Sequence, residues 1–552
     1  MKRMFLSLGL LCLSTLSMSA FAQQPAAPDL ILVNGKIFTS IAAHPYVEAL
    51  AIRADRIVAT GDTRTIQALA GPKTNVIDLH GSTAIPGIND AHHHFSLGPP
   101  EVDVDLHTPE PTWPQIKDGI AAAIAKNPPP TSLISVTIGF GAFGDTSIDR
   151  DALDKIAPNN PVALGTFTGH AVILNTAGLR FYHIADNQPD PIGGRFERDA
   201  KGRLTGTVRE YALLNVQRAA ADRVPEAEAT AQLKQQLDDD AMYGVTSIQE
   251  LAYLLPPARA VSLLEAIPTQ IRVRVVPMPG TTTTGRNVDE GKGVPAHPSA
   301  MITVSGSKWL ADGVGVEGTL TPRGEWKLAP HPPFDAIFTD LPLQFPKSEY
   351  SAMLQESLKN NQQLLVHVSG NRSVATMLDA IDANGGSAVW NGRRLRFEHG
   401  DGIFPDQFAR IKADGIIVDQ NPIHFAPIVP PGVVAFEKAQ PLKSLLAAGI
   451  PLSFGSDFPV VNPYRDIMFA TSPGNGSTEG ITREQAVIAS TLTAAYAEFL
   501  EKEKGSIEPG KLADIAVLSQ DIFTVPTGEL PKTQAVLTLV GGKVVYKAKP
   551  AN

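Results

Sequence analysis

"PGINDAHHHF", residues 86–95, is the stretch whose reading decides the fold. It closes the apolar run "STAIPGI" (82–88) with an aspartate and three consecutive histidines. On a β-strand, residues i and i+2 share a face. His92 and His94 therefore point one way and His93 the other. Two imidazoles on one face of a strand end suit a shared cation, with His93 a bystander. Alone, an H-x-H is a weak signal, because a solvated loop reads the same way.

The neighbourhood strengthens it. "LLVHVSG" (364–370) puts His367 near the end of an apolar run, "LRFEHGDG" (395–402) does the same for His399, and "LSFGSDF" (452–458) for Asp457. Short apolar runs of this kind alternate through the middle of the chain with segments of helical period, such as 226–243 and 373–384. Continuous apolar strands alternating with helices imply a parallel sheet. The number of units predicts an α/β fold, a (β/α)8 TIM-like barrel. The runs exceed eight, so some belong to insertions, and no internal repeat is visible. In such a barrel the C-terminal strand ends meet on one rim. His92, His94, His367, His399 and Asp457 would then share it. That nitrogen–oxygen set suits one or two divalent ions, Zn2+ first, with Mn2+, Fe2+ or Ni2+ also accepted.

The two ends of the chain have another texture. "DLILVNGKIFTS" (29–40), "ALAIRADRIVATGD" (49–62) and "TNVIDLHGSTAIPGI" (74–88) alternate apolar and polar residues around turns, as do "KLADIAVLS" (511–519) and "AVLTLVGGKVVY" (535–546). Both ends are expected to build one small β-sandwich domain. The expected division is 1–22 a signal peptide, 23–88 and 501–552 the two parts of the sandwich, and 89–500 the barrel. Pro- and Gly-rich stretches at 97–114 and 316–338 read as long loops over a site or as surface decoration.

Lys2 and Arg3, a short apolar stretch and Ala20-Phe21-Ala22 give the pattern of a cleavable export signal, so a periplasmic or secreted protein without a membrane anchor is expected. Cleavage removes the single cysteine, Cys12, and takes the formal charge from −9 to −11. No disulfide or thiolate ligand then remains, and no basic surplus exists for nucleic acid. A small-molecule substrate is expected, and a homo-oligomer stays open. "GFGAFG" (139–144) fits a dinucleotide fingerprint, but "DTSIDRDALDKIAP" (145–158) delays the helix such a fold needs.

"AIPGINDAHHHF" (84–95), "LLVHVSGNRSVATMLDAID" (364–382), "RRLRFEHGDG" (393–402), "AGIPLSFGSDFPV" (448–460) and "GSIEPGKLADIAVLS" (505–519) together resemble the amidohydrolase superfamily. The chain looks most like its amidohydrolase-3 branch, which includes N-substituted formamide deformylases, from about Asp29 to about Tyr546. The resemblance implies a metal-bearing barrel with a β-sandwich built from both chain ends. It matches His92 and His94 to a first-strand ligand pair, His367 and His399 to later ligands, and Asp457 to the last-strand aspartate. Lys308, in "SGSKWLADG" (305–313), stands where a carbamylated bridging lysine occurs; unmodified, an ammonium cannot ligate a cation. Glu210, in "GRLTGTVREYA" (202–212), is the rival bridge. His170, in "FTGHAVILNTAGL" (167–179), is a candidate to contact substrate or to support a ligand. Gly370-Asn371 stands where the family commonly has Gly-Asp, and "GVGVEGTL" (313–320) is less polar than the family's run. The seventh-strand stretch "VDQNPIHF" (418–425), with Asp419 and Gln420, is a third departure, and all three bear on the substrate more than on the metal.

The implied activity is hydrolysis of an amide-like, non-peptide C–N bond by metal-activated water, with Asp457 as general base and then acid. A deaminase or an ester or lactone hydrolase of the same superfamily is the alternative. An exported metal- or ligand-binding protein without catalysis is the alternative of another class, and the presence of a candidate base weighs against it.

Overall fold

The computed structural model describes residues 26–549 apart from 109, 127–131, 269–270, 314–342, 425–439, 460–461 and 473–476. The signal segment 1–22 and the stretch 316–338 lie outside the described residues. Among those described, no helix is long and apolar enough to cross a membrane.

The fold is mixed α/β, and two parallel sheets carry the histidine-bearing strands. In one, Ile302–Val304, Arg272–Pro277, Val245–Ala252 and Ile88–His93 lie side by side. In the other the order is Ser307–Leu310, Leu364–Val368, Arg396–His399, Ile417–Gln420 and Leu452–Phe454. Helices such as Glu226–Met242 and Asn371–Ala383 connect successive strands. Only Ser305 and Gly306 separate the two sheets along the chain. At their other edges, the Asp457 N–H donates to the His92 carbonyl at 2.7 Å. Gly455 permits this approach: a Cβ there would lie 2.3 Å from His92 Cβ.

These strands are buried on both sides, as parallel strands must be. All eight residues of Val245–Ala252 are buried, polar Ser247, Gln249 and Glu250 included. The polar ones satisfy one another. Gln249 Oε1 accepts from Arg396 at 2.5 Å and from Arg274 at 3.2 Å, and Arg396 also donates to the Ala91 carbonyl at 2.7 Å. A charged layer thus lies beneath the strand ends.

A six-stranded mixed sheet is inserted between the first and second histidine-sheet strands. Its order is Gly194–Arg198, Leu204–Glu210, Ala171–Leu174, Val162–Thr166, Leu133–Ile138 and Glu101–Asp103. It absorbs the apolar runs 132–140 and 161–167, which account for the surplus over eight. The stretch 97–114 is no plain loop: Glu101–Asp103 pairs with Leu133–Ser135, and a helix starts at Trp113. "GFGAFG" opens at once into a short helix, Phe140–Gly144, so the expected delay is corrected. The anion position is already taken, because the Gly141 N–H donates to the Glu110 carboxylate at 3.1 Å.

The chain ends build two further sheets, one from N-terminal strands alone and one from strands of both ends. One is Arg56–Gly61, Ala49–Arg53, Leu30–Val33 and Asn75–Asp78; the other joins Lys543–Lys547, Ala535–Val540 and Ile515–Leu518 to Thr83–Pro86, Lys36–Phe38 and Tyr46–Val47. Leu30, Leu32, Ile52, Ile515, Val517 and Leu539 share one buried cluster. Distant sequence segments therefore pack as one core.

Candidate metal centre

The strand Ile88–His93 delivers its histidines as its period dictates. The His92 and His94 rings lie 5.1 Å apart. Their Nε2 atoms reach one oxygen, Asp457 Oδ1, at 2.9 and 3.3 Å. His93 faces away, with Nδ1 2.9 Å from Glu250 and Nε2 3.6 Å from Asp240.

Asp457 and His399 both sit in the left-handed region, with φ of 60° and 67°. Non-glycine residues adopt it rarely, and it ends a strand's alternation. Glu398 and His399 consequently both reach His92: Glu398 Oε2 lies 2.7 Å from His92 Nδ1, and the His399 ring centroid 4.8 Å from that of His92.

The supporting partners fix the tautomers. His94 Nδ1 meets the Leu251 carbonyl at 2.8 Å, so that nitrogen carries the proton. His399 Nδ1 meets Asn421 Oδ1 at 2.7 Å, and the Asn421 amide is oriented by donating to the Gly455 carbonyl at 2.8 Å. His92 Nδ1 lies against the Glu398 carboxylate. In each ring Nε2 is left with a lone pair, the arrangement that carboxylate- and carbonyl-backed histidines use to bind metal. Both Nε2 atoms thus face one acceptor oxygen of Asp457, an arrangement a divalent cation fits. Burial and the Lys308 charge would lower the His92 imidazole, but the Asp457 and Glu398 charges outweigh them and raise it above its ordinary value, so that a proton stands in the place of the cation.

Electrostatics agree. Burial first, and neighbouring imidazoles next, hold His367 and His399 well below the ordinary imidazole value, so both are neutral at neutral pH. Burial alone would raise the Asp457 carboxyl, but His92, His399 and His424 bring it well below the usual carboxylate range. Burial opposes ionisation of Glu398 too, yet Arg396, Lys308 and His92 bring it down to about 2. Burial pushes Lys308 down to about 8. Its Nζ lies 3.4 Å from His92 Nε2.

The remaining sequence-derived residues surround the same cavity of about 170 Å³. His92, His94, His170, Glu210, Lys308, His367 and Asp457 all line it. His399 lies behind His367, their ring centroids 4.3 Å apart. The His367 Nε2 lies 3.4 Å from the Gly313 carbonyl and 3.6 Å from Asp312. His170 and Glu210 come from the inserted sheet and pair at 2.7 Å. Glu210 takes a φ of 52°, and a Cβ at Gly313 would lie 2.1 Å from its Oε1. The carboxylate absent at Asn371 is supplied from elsewhere: Asp312 accepts from the Ser369 and Gly370 N–H groups at 3.0 and 2.7 Å, and Asp401 from the Ser369 hydroxyl at 2.9 Å.

Two residues, Glu398 and His424, escaped the sequence reading. Glu398 and Asp419 lie beneath His92, and Ser453 donates to Asp419. His424 sits on a turn just after the strand Ile417–Gln420. It stacks on His399 at 5.2 Å, and its Nε2 lies 3.1 Å from Asp457 Oδ2. That contact helps to hold the Asp457 carboxyl below the usual carboxylate range. The signal for His424 was its closeness in sequence to a strand end, "VDQNPIHF" (418–425).

Neutral imidazoles and a carboxylate, gathered at the ends of parallel strands on a cavity, are the equipment of a metal-dependent hydrolase. The chain belongs to the amidohydrolase family, whose model matches residues 75–546. It is similar to the N-substituted formamide deformylase of Arthrobacter pascens, 26% identical over 94% of this chain and 98% of the relative. It is also similar to the protein LONG AFTER FAR-RED 3 of Arabidopsis thaliana, 26% identical over 94% and 91%. Among solved structures, an uncharacterized metal-dependent hydrolase from Pyrococcus horikoshii superposes with a TM-score of 0.64, at 20% identity, covering 90% of this chain and 99% of that one. The family assigns the protein to the hydrolases of non-peptide carbon–nitrogen bonds, acting on small molecules.

Proposed function

We propose that the protein hydrolyses the amide-like C–N bond of a small N-acyl compound at a centre built on His92, His94 and Asp457. The observation that carries this is the convergence of two tautomer-fixed Nε2 atoms on Asp457 Oδ1, at 2.9 and 3.3 Å, on the cavity wall. The likeness to a formamide deformylase supports an N-acyl substrate. The cavity, about 170 Å³, is smaller than the roughly 300 Å³ at which pockets for drug-sized ligands begin. That favours a compact acyl group at the reacting end.

His92, His94 and Asp457 would hold a divalent ion, Zn2+ in our reading, which when bound would supply Lewis acidity and lower the pKa of water from about 15.7 toward about 7. Asp457 uses Oδ1 toward that position and keeps Oδ2 as the base. It takes the proton of the attacking water and returns it to the leaving nitrogen. Lys308 joins the ligands once carbamylated, and its depressed pKa supports the neutral amine that this reaction needs. Glu210 is the rival bridge; His170, paired with it, faces the substrate. His367 and His399 form the floor. The two parallel sheets are read as one closed (β/α)8 barrel, residues 89–500. The end sheets are read as a β-sandwich of residues 23–88 and 501–552. Residues 1–22 are read as an export signal placing the protein in the periplasm or outside the cell.

The test uses protein stripped with a chelator and reloaded with Zn2+, assayed on N-substituted formamides and acetamides for amine and carboxylate release. Metal-dependent release of amine is expected. Release of ammonia alone from amidine-like compounds would move the protein to the deaminases. No turnover of amides, esters or lactones in the loaded state would defeat the reading.

A further inference from the structure

Three buried tyrosines packed around the parallel sheets each spend their hydroxyl on the backbone. Tyr211 accepts from the Leu310 N–H at 3.0 Å, Tyr350 donates to the Ala311 carbonyl at 3.1 Å, and Tyr464 donates to the Tyr243 carbonyl at 2.9 Å. That is the rule for a buried phenol. Tyr253 departs from it. It directly follows the strand Val245–Ala252 and lines the cavity together with His94 and Asp457. Its ring stands edge-on to the His94 ring, centroids 5.0 Å apart at 85°. The side chain is only partly buried, and among the described residues none hydrogen-bonds its hydroxyl. Its backbone is held instead. The Tyr253 carbonyl accepts from Arg218 Nε at 2.7 Å, and Arg218 donates to both oxygens of Glu290 at 2.6 and 2.7 Å. The Tyr253 N–H donates at 2.8 Å to the Leu251 carbonyl, the same oxygen that His94 Nδ1 meets. One turn therefore sets both His94 and Tyr253, and it leaves the phenol hydroxyl to whatever enters the cavity.

We propose that Tyr253 is a catalytic residue whose hydroxyl donates a hydrogen bond to the substrate's carbonyl oxygen as that oxygen gains charge. This rests on the proposed function. Water adds to the carbonyl carbon: a C–O bond forms, the π pair moves onto the carbonyl oxygen, and Asp457 takes the water proton. The Tyr253 hydroxyl meets the growing charge. When the C=O bond reforms, the C–N bond breaks, and the nitrogen leaves with the bonding pair and the proton from Asp457. Tyr253 keeps its own proton throughout, as a phenol with an ordinary pKa of about 10 does at neutral pH. A donor held in place before the charge develops needs no reorganisation, and such donors contribute about 10²- to 10³-fold to kcat.

Tyr253→Phe keeps the ring against His94 and removes only the hydroxyl. In the zinc-loaded state it is expected to lose about 100-fold in kcat, with little change in KM and with wild-type zinc content. An unchanged kcat overturns the proposal. Methylphosphonate, a tetrahedral anion, reports the same contact without turnover. By calorimetry, zinc-loaded wild type is expected to bind it about tenfold or more tightly than Tyr253→Phe. Equal affinities overturn the proposal even where kcat falls, because a packing defect alone would lower kcat. No binding by wild type overturns it as well. Diffraction from zinc-loaded wild-type crystals soaked in methylphosphonate needs no variant. A phosphonate oxygen about 2.7 Å from the Tyr253 hydroxyl is expected, and one beyond hydrogen-bond range overturns the assignment. If no amide is turned over at all, the functional reading fails, while phosphonate affinity and diffraction still judge Tyr253.

Discussion

His92 and His93 are neighbours in sequence, equally buried, and each has a carboxylate within 3 Å of Nδ1. They do different work because of what faces Nε2. His93 meets a second carboxylate, Asp240, at 3.6 Å, away from the cavity. Burial alone would push its pKa down, but the Glu250 hydrogen bond and the Asp240 and Glu250 charges raise it to about 9. His93 is thus a cation locked between two acids. His92 instead shares Asp457 with His94 on the cavity wall, and Lys308 stands against the same nitrogen. Burial and a carboxylate partner do not make a ligand; a second imidazole converging on one oxygen beside open space does.

The strongest way to break this contrast is at Asp457. Asp457→Asn should lower kcat by about 10³-fold, the range expected for a lost general base, in steady-state assays of the zinc-loaded enzyme. Glu398→Gln should weaken zinc binding by about 10- to 100-fold, because His92 loses the carboxylate that fixes its tautomer. Competition with a chromogenic chelator measures it. His93→Gln should cost about 3 kcal/mol of stability, because Glu250 and Asp240 lose their buried cation, yet leave zinc affinity near wild type. Chemical denaturation and the same competition assay read the two effects.

The smallest effect is on pH. A raised folded-state pKa contributes stability that is present below the unfolded value and lost as pH rises through the folded one. For His93 that window runs from the ordinary imidazole value of about 6.5 to about 9. Asp240, raised by burial to about 7, acts in the same direction but over a lower window, from the ordinary carboxylate value of 3.8 to about 7. Melting temperature should therefore decline across the His93 window, and the decline should be shallower in His93→Gln.

The histidine pair was legible in sequence because a strand's period of two is strict. Asp457, His367 and His399 were legible as polar residues ending apolar runs. The supporting layer was not. Glu398 precedes His399 and should face the other way, and only the left-handed φ of His399 brings both to His92. His424 depends on a turn that no periodicity announces. The runs 132–140 and 161–167 look like barrel strands because strands buried on both faces have one texture whichever sheet they join. Pairing with Glu101–Asp103 and Ala171–Leu174 assigns them to the inserted sheet.

The most direct test of the central claim is zinc bound per folded chain in the paired variants His92→Ala and His93→Ala. Both are to be purified without chelator or affinity metal and measured by elemental mass spectrometry. His92→Ala is expected to lose the ion, while His93→Ala keeps it and melts at a lower temperature. Retention of the ion by His92→Ala, or its loss from folded His93→Ala, would contradict the account.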